Sequence, residues 1–270
     1  MSDIEDYAAP LPNGGLDPSV SQAHEEFLRL VTVPVLINRE KGVDVLGTGT
    51  LFEIDTKIFL VTAKHLFDGE EYAKVAIPAS PNDRTIAYLN DNKLHLLGDQ
   101  NSKELDICAI ELRHAPLVEY VKRHWTCLTL DDTTTPASAG RFIVCGYPSS
   151  LSSHRKNGND IDVVTKIIAF YTNRIPPPPN AERPVDDSID IFLRHCEVNR
   201  SIDGEPIQSP RFQGVSGASI WETQSPPGSF WTPRGTLKVA GIQNANRYGE
   251  YLRATSWDCV AALLRQASAS

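Results

Sequence analysis

The sequence predicts an all-β protein made of two six-stranded antiparallel β-barrels with a C-terminal helix. Three observations predict it. Short apolar runs of strand length fall into two sets of six, a connector rich in Asp, Thr and Pro separates the sets, and a last apolar stretch has helical character. A chain of 270 residues, 41% of them apolar, is long enough to bury cores of that size.

The first set of runs follows an N-terminal segment of two parts. A tail rich in Pro, Gly and Asp (residues 7–18) precedes a predicted short helix (residues 19–30) that would cover one barrel end. The six runs of the first barrel are Val33 to Asn38, Val45 to Ile54, Lys57 to Val61, Ala73 to Ile77, Leu94 to Leu97 and Asp106 to Leu112. We therefore expect residues 1–30 to form the tail and helix, and residues 31–130 the first barrel.

The second set begins after the connector, Asp131 to Ala139. Its six runs are Arg141 to Gly146, Val163 to Tyr171, Ile189 to Glu197, Ala218 to Trp221, Leu237 to Gln243 and Tyr251 to Ala254. Thr255 and Asp258 have the spacing of a capping box, which predicts that a helix starts there and continues through the apolar stretch Val260 to Leu264. Residues 131–270 are thus expected to form the second barrel and the terminal helix.

Four consecutive prolines, Pro176 to Pro179, interrupt the second set of runs. Proline favours polyproline II backbone and cannot donate to a central strand, so the segment predicts a stiff surface loop. A docking segment for an aromatic groove is the alternative.

Composition excludes several classes of protein. No stretch approaches the apolar length of a membrane span, and the acidic N-terminus lacks the pattern of a signal peptide. A net charge of −8 argues against a nucleic-acid partner. The five cysteines are odd in number and lie mostly in apolar settings, as reduced core thiols do, which favours a cytoplasmic location. The histidines lack metal-ligand spacing, so we expect no metal and no cofactor.

Three short segments place a histidine, an aspartate and a serine in a chemically suggestive order. His65 follows the apolar run 57–61, and Asp106 opens another run. Ser216 lies in the sequence Gly214-Val215-Ser216-Gly217. A buried aspartate can orient an imidazole, and that imidazole can deprotonate a serine hydroxyl. These three residues are the candidate catalytic residues.

The chain resembles the chymotrypsin-like (trypsin-like) serine peptidases from about Val33 onward, in a form without disulfides. Gly47-Thr48-Gly49 followed by Thr62-Ala63-Lys64-His65 is similar to the Gly-x-Gly strand and Thr-Ala-x-His signature of that family. The segment 106–112 resembles its Asp-containing strand, and 214–217 keeps its Gly-x-Ser-Gly. The resemblance implies a double barrel with a C-terminal helix and a Ser-His-Asp acyl-enzyme mechanism.

The resemblance also implies the remaining site residues. The N–H groups of Gly214 and Ser216 would form the oxyanion hole. Substrate binding falls to the segment before the serine and to a strand beside the substrate backbone: Pro210, Arg211, Gln213, Gln243, Asn244, Ala245 and Asn246. Pro210 stands where an aspartate would give a preference for lysine or arginine, so an acidic or small neutral side chain is expected before the cut, with Arg211 and Arg247 as its candidate partners.

Val215 departs from the family pattern. Zymogen-activated relatives have there an aspartate that pairs with a newly cut N-terminus, and valine cannot accept that bond. Either the loop around Val215 is already formed, or another contact, such as a partner protein, organises it.

The sequence therefore predicts a serine endopeptidase that cleaves a protein or peptide substrate. It leaves open a regulatory protein partner, and a role as a stress or antiphage-defence effector. The alternative is a peptidase-like binding or regulatory module with little or no proteolysis. Neither a nucleic acid nor a membrane is expected as a partner.

Overall fold

The computed structural model describes residues 18–40, 42–81, 85–96, 105–138, 140–157, 160–182, 184–201, 206–224 and 231–270. The helices are α1 (Pro18–Val31), α2 (Ala115–His124), α3 (Pro233–Thr236) and α4 (Trp257–Ala269). The strands are β1 (Thr32–Arg39), β2 (Gly42–Ile54), β3 (Lys57–Thr62), β4 (Val75–Pro78), β5 (Ile86–Tyr88), β6 (Lys93–Leu96), β7 (Cys108–Leu112), β8 (Arg141–Gly146), β9 (Ser153–Asn157), β10 (Asp160–Val164), β11 (Ile168–Ile175), β12 (Asp190–Arg194), β13 (Val198–Ser201), β14 (Pro206–Gln208), β15 (Ser219–Thr223), β16 (Leu237–Arg247) and β17 (Tyr251–Ser256). Of the predicted tail, residues 7–17 lie outside the described residues, as does Leu97, whereas Pro18 belongs to α1.

The N-terminal sheet is a half-barrel and not the closed six-stranded barrel that the sequence predicted. Its seven antiparallel strands run in the order β5-β4-β1-β2-β3-β7-β6, and within the described ranges no ladder joins β5 to β6. The seventh strand, Ile86–Tyr88, was missed because three residues are too few to show an alternating pattern. The predicted run from Ala73 begins as a 3₁₀ turn, Tyr72–Lys74, and becomes a strand only at Val75.

The C-terminal sheet contains a closed six-stranded antiparallel barrel, as predicted. Its strands follow the order β12-β17-β16-β15-β8-β11, and a ladder between β11 and β12 closes the ring. The hairpin β13–β14 extends it beyond β11. The predicted single run Val163 to Tyr171 is wrong, because β10 ends at Val164 and β11 begins at Ile168. Thr165, Lys166 and Ile167 separate them, and β10 pairs with β9 in a small sheet of its own.

One hydrophobic cluster joins the two sheets and the long helices. It contains Phe52 and Phe59 of the half-barrel together with Trp221 and Val239 of the closed barrel, all fully buried. Trp257, the first residue of α4, stacks on Phe52 with ring centroids 4.6 Å apart. The two sheets therefore share a core, and the division of the chain at residue 130 into separate barrel units stays a prediction.

The terminal helices agree with the predicted positions, but not in every detail. α1 inserts Leu28 and Val31 into the shared core. α4 begins one residue after its N-cap Ser256, whose side chain makes no capping bond, so the predicted capping box is wrong. Thr255 belongs to β17, where its hydroxyl accepts from the Asn244 amide at 2.9 Å, while Thr135 donates to Asp258 at 3.2 Å.

Three further features bear on the sequence predictions. Pro176 to Pro179 lie in a loop between β11 and β12, outside any strand. All five cysteines are free thiols. Over the described ranges, no helix has both the length and the apolar character needed to cross a lipid bilayer.

Candidate active site

His65 lies just beyond the end of β3, in a short 3₁₀ turn (Lys64–Phe67). Leu66, the next residue, is buried and packs onto Gly47 of β2, where any Cβ atom would collide with the leucine side chain. The glycine thus leaves room for Leu66 to anchor the turn. His65 is left on the open side, with 39% of its side chain exposed.

Asp106 holds His65 in two ways. One carboxylate oxygen accepts from the His65 backbone N–H at 2.7 Å, and the other is hydrogen-bonded to the ring nitrogen Nδ1. The Asp106 carbonyl also accepts from Lys64 N at 3.3 Å, which joins the segment just before β7 to the turn. With Nδ1 engaged, the nitrogen that remains to act on a substrate or a hydroxyl is Nε2.

The electrostatic effect of this contact is to make His65 a stronger base. The hydrogen bond that the ring donates to Asp106 is the largest influence, and it raises the pKa of His65 above its usual value although partial burial works in the opposite direction. Asp68 adds a smaller effect of the same sign as Asp106. An imidazole of this kind accepts a proton readily near neutral pH.

Ser216 lies in a tight turn between two glycines with positive φ, +91° at Gly214 and +88° at Gly217. A Cβ atom at Gly217 would collide with Thr48 O and Thr62 Oγ1, and would lie 2.8 Å from Ala63 N. The turn therefore presses against the end of β3 and the residue after it, two to three residues before His65. Ser216 is half-buried, and within the described residues its hydroxyl makes no hydrogen bond to the His65 ring.

Two N–H groups of this turn are free to donate a hydrogen bond to a ligand. Neither Gly214 N nor Ser216 N donates to another residue in the part of the chain that the structure describes. The carbonyl of Gln213 accepts from Ser149 N at 2.7 Å and from Ser149 Oγ at 3.1 Å, and the carbonyl of Val215 accepts from Ala218 N at 2.9 Å. Since C=O and N–H point to opposite sides of a trans peptide, these bonds fix the direction of both free N–H groups.

Val215 is fully buried among apolar side chains of the closed barrel, including Phe212 and Ala218. Its Cγ1 would lie 3.0 Å from a Cβ atom at Gly146, so the valine side chain fills the space under the turn. An apolar side chain held by packing therefore stands at this position, where an aspartate would form an ion pair.

The strand β16 offers an edge beside the turn. Its pairing with β15 ends at Ile242, whereas its pairing with β17 continues to Arg247. Gln243 bonds to the serine turn through its backbone, donating to Ala218 O at 2.8 Å and accepting from Gly217 N at 2.7 Å. Beyond it, residues 244–246 carry no described strand on the side that faces the turn.

The sequence-predicted substrate residues differ in exposure. Asn246 is exposed, Asn244 and Ala245 are half-buried, and Gln243 is completely buried, with its side-chain amide donating to Ala245 O at 2.9 Å. Arg211 and Gln213 are exposed and Pro210 is half-buried.

Arg247, the second arginine considered for an acidic substrate, already has an acidic neighbour. Its Nε lies 2.9 Å from a carboxylate oxygen of Glu250, and its Nη1 donates to Asn180 O at 3.4 Å. Among the described residues, Arg211 forms no ion pair with a carboxylate, and its carbonyl accepts from Ser150 Oγ at 3.4 Å.

Sequence reasoning missed the residues that support the site from a distance. His195 is 1% exposed, with its ring edge-on to Phe212 at 4.4 Å and to Tyr248 at 5.3 Å, and burial lowers its pKa to about 4. Ser149 gave no signal in the sequence. Thr48 lies between Gly47 and Gly49, in a motif that the sequence does show, but its hydrogen-bond partners lie far along the chain.

Comparison with known proteins adds little. No protein-family model and no curated protein matches the chain. One similar solved structure comes from work on the intrinsically disordered VPg protein of Sesbania mosaic virus, with 12% identity, a TM-score of 0.49, and coverage of 87% of this chain and 90% of that chain. Another is an inactive mutant form of Rv3671c from M. tuberculosis H37Rv, with 15% identity, a TM-score of 0.47 and 97% coverage of both chains.

Proposed function

We propose that this chain is a serine endopeptidase of the trypsin-like kind, which cleaves a protein or peptide substrate through an acyl-enzyme. The observation that carries the proposal is the double contact of the Asp106 carboxylate with the backbone and ring of His65, beside a Gly-x-Ser-Gly turn. A carboxylate that fixes an imidazole next to a serine is the arrangement that nucleophilic acyl transfer requires.

In the proposed reaction, Ser216 Oγ attacks the scissile carbonyl carbon while His65 Nε2 takes the hydroxyl proton. The oxyanion that forms receives hydrogen bonds from the N–H groups of Gly214 and Ser216. His65 then gives the proton to the leaving amine nitrogen, the C–N bond breaks, and an ester on Ser216 remains. Water attacks this ester with His65 again as base, and the proton returns to Ser216 as the acid product leaves.

In this proposal, the hydrogen bond between Ser216 and His65 forms when a substrate binds. Catalytic hydrogen bonds are often long in proteins without substrate and tighten when substrate is bound. Asp106 does not take up the proton in this scheme. It holds the ring with Nδ1 toward itself and stabilises the imidazolium that forms during attack.

The free edge of β16 supports a polypeptide as the substrate. A peptide that adds to residues 244–246 as an antiparallel strand would gain main-chain hydrogen bonds and place its scissile bond beside the serine turn. Pro210 would contribute no charge to a side-chain pocket, and Arg211 is exposed with no acidic partner among the described residues. We propose an acidic or small neutral residue before the cut, with Arg211 a better partner than Arg247.

A cleavage profile tests both the activity and the preference. A peptide library digested with the protein, and in parallel with the Ser216→Ala variant, is read by mass spectrometry of the new termini. The proposal expects cleavage by the unmodified protein alone, and an acidic preference that weakens in Arg211→Ala and persists in Arg247→Ala. Binding of peptides without any cleavage would favour the binding-module alternative, and a preference for lysine or arginine would refute the pocket assignment.

A further inference from the structure

Thr48 of β2 links the half-barrel to the turn that carries Ser216. Its side chain is completely buried. Its backbone N–H donates to Ser216 O at 2.8 Å, and its hydroxyl donates to Gly214 O at 2.8 Å. One residue of the N-terminal sheet therefore binds the turn on both sides of Val215.

The same threonine is held from two other directions. Tyr147 N, just after β8, donates to Thr48 Oγ1 at 3.0 Å, and the Thr62 hydroxyl donates to Thr48 O at 2.6 Å. Every hydrogen-bonding atom of Thr48 is thus used, with the hydroxyl acting both as donor and as acceptor. A buried network in which each member is satisfied favours a single arrangement.

These bonds decide how the peptide planes of the turn are oriented. Thr48 fixes the carbonyls of the peptides that follow Gly214 and Ser216. The N–H groups of those same peptides are bound as well, Val215 N to Phe212 O at 2.9 Å and Gly217 N to Gln243 O at 2.7 Å. The two peptides that alternate with these, 213–214 and 215–216, carry the N–H groups that remain free. Holding the bound planes consequently holds the free N–H groups in position.

We infer that Thr48 is a positioning residue that keeps the Ser216 turn in its reactive arrangement without a cut N-terminus and without a partner protein. This inference rests on the proposed function. Val215 is apolar and buried, so it offers no carboxylate to an amine. The link that an ion pair would make to the turn is made instead by a hydroxyl and an amide of β2.

The chain offers a matched control two residues further along the same strand. Thr50 is also completely buried, and its hydroxyl is 2.6 Å from the Ser219 hydroxyl, outside the serine turn. Thr48→Val and Thr50→Val each remove one buried hydroxyl while keeping the shape of the side chain. Thr48→Ser keeps the hydroxyl that the inference requires.

The test measures three quantities on the full chain: the rate at which a fluorophosphonate reacts with Ser216, the thermal unfolding midpoint, and amide hydrogen exchange over residues 213–218. In the labelling reaction His65 takes the proton of the Ser216 hydroxyl, an Oγ–P bond forms, the P–F bond breaks and fluoride leaves. We expect Thr48→Val to slow labelling by about 10- to 100-fold and to speed exchange in the turn. Thr48→Ser should restore both, and Thr50→Val should lower the unfolding midpoint while it labels close to the wild-type rate.

The outcomes separate the inference from the proposed function. Labelling and exchange that are the same in Thr48→Val as in Thr50→Val would overturn the role of Thr48 and leave the peptidase proposal standing. A wild-type protein that does not react would overturn the peptidase proposal. Hydrogen exchange alone would then test the role of Thr48. Faster exchange of residues 213–218 in Thr48→Val, but not in Thr50→Val, would support the positioning role, and equal exchange in the two variants would refute it.

Discussion

At the scale of the residue, the contact between Asp106 and His65 is the most informative feature of the molecule. A carboxylate that binds both the backbone and the ring of one histidine fixes the position of that residue and the direction of its ring. Surface ion pairs rarely have this geometry, because two flexible side chains must be ordered for little gain.

The triad assignment predicts graded losses of activity. Ser216→Ala and His65→Ala should abolish cleavage while leaving the unfolding midpoint nearly unchanged, since both side chains are partly exposed and fill no core volume. Asp106→Asn should lower kcat by about 10⁴, the effect of the same substitution in trypsin, which is the standard example of such a triad. Steady-state rates on any cleaved peptide check this, and an Asp106→Asn variant with full activity would point to a different acid.

The pKa of His65 predicts the pH dependence. Asp106 raises this pKa, so the neutral imidazole that can act as base appears only at higher pH. The fluorophosphonate labelling rate should therefore rise with pH, with a midpoint above the ordinary histidine value of 6.5. In Asp106→Asn the favourable contact with the charged ring is lost, so the pKa of His65 should fall. The residual labelling rate should still increase with pH, but with a lower midpoint than in the wild type. A midpoint that the substitution leaves in place would show that another group titrates.

The sequence predicted His65, Asp106 and Ser216 because each lies in a local pattern of strand, turn and glycine. Thr48, Ser149 and His195 are different. They support the site through contacts with residues distant in sequence: Thr48 with Gly214, Ser149 with Gln213 and His195 with Phe212. Local sequence patterns do not reveal contacts between distant parts of a chain.

At the scale of secondary-structure elements, α4 and β2 hold the two sheets together. Trp257 is 2% exposed and stacks on Phe52, which is itself fully buried. Removing the indole would leave a cavity where the half-barrel, the closed barrel and α4 meet.

We predict that Trp257→Ala lowers the free energy of unfolding by about 3–5 kcal/mol. Trp257→Phe, which keeps an aromatic ring, should cost less. Leu151→Ala serves as the control, because Leu151 is exposed and such changes usually stay within about 0.5 kcal/mol. Denaturant unfolding measures all three, and a Trp257→Ala protein as stable as the control would contradict the shared core.

Strand runs were predicted well where four apolar residues follow one another without interruption, as in β3 and β8. The errors occurred where local cues compete. The pattern across Val163 to Tyr171 continues through a break, and the Thr255-x-x-Asp258 spacing mimics a cap although Thr255 is needed in β17. Closure of a barrel depends on which edge strands pair, and no residue pattern specified that for β5 and β6.

At the scale of the whole molecule, two buried histidines make stability depend on pH. Burial lowers the pKa of both His24 and His195 to about 4. The unfolded chain therefore binds more protons than the folded protein as the pH falls from about 6.5, and stability is lost in that direction.

We predict that the free energy of unfolding falls between pH 6.5 and 5, by up to about 1.4 kcal/mol per pH unit for each histidine. His24→Gln and His195→Gln should each reduce the slope, because the new side chain does not titrate. Denaturant titrations at several pH values measure it. A slope that is flat in the wild type, or unchanged in both variants, would contradict the burial of these rings.

The absence of a carboxylate at Val215 predicts that no fresh N-terminus is needed for activity. A chain that starts at Pro18, the first residue of α1, should fold and react like the full chain. A chain that starts at Thr32 should be strongly destabilised, because it lacks the buried residues Leu28 and Val31. Labelling rates and unfolding midpoints of the two truncations test this. Loss of labelling in a folded protein that starts at Pro18 would refute the argument from Val215.

The site of reaction with a fluorophosphonate tests the proposed serine nucleophile directly. The purified full chain is incubated with the reagent, digested, and mapped by mass spectrometry beside the Ser216→Ala and His65→Ala variants. An assembled site predicts a single adduct on Ser216 in the wild-type protein and none in either variant. An unlabelled wild-type protein, or an adduct on another residue that persists in Ser216→Ala, would contradict the assignment of this chain as a serine peptidase.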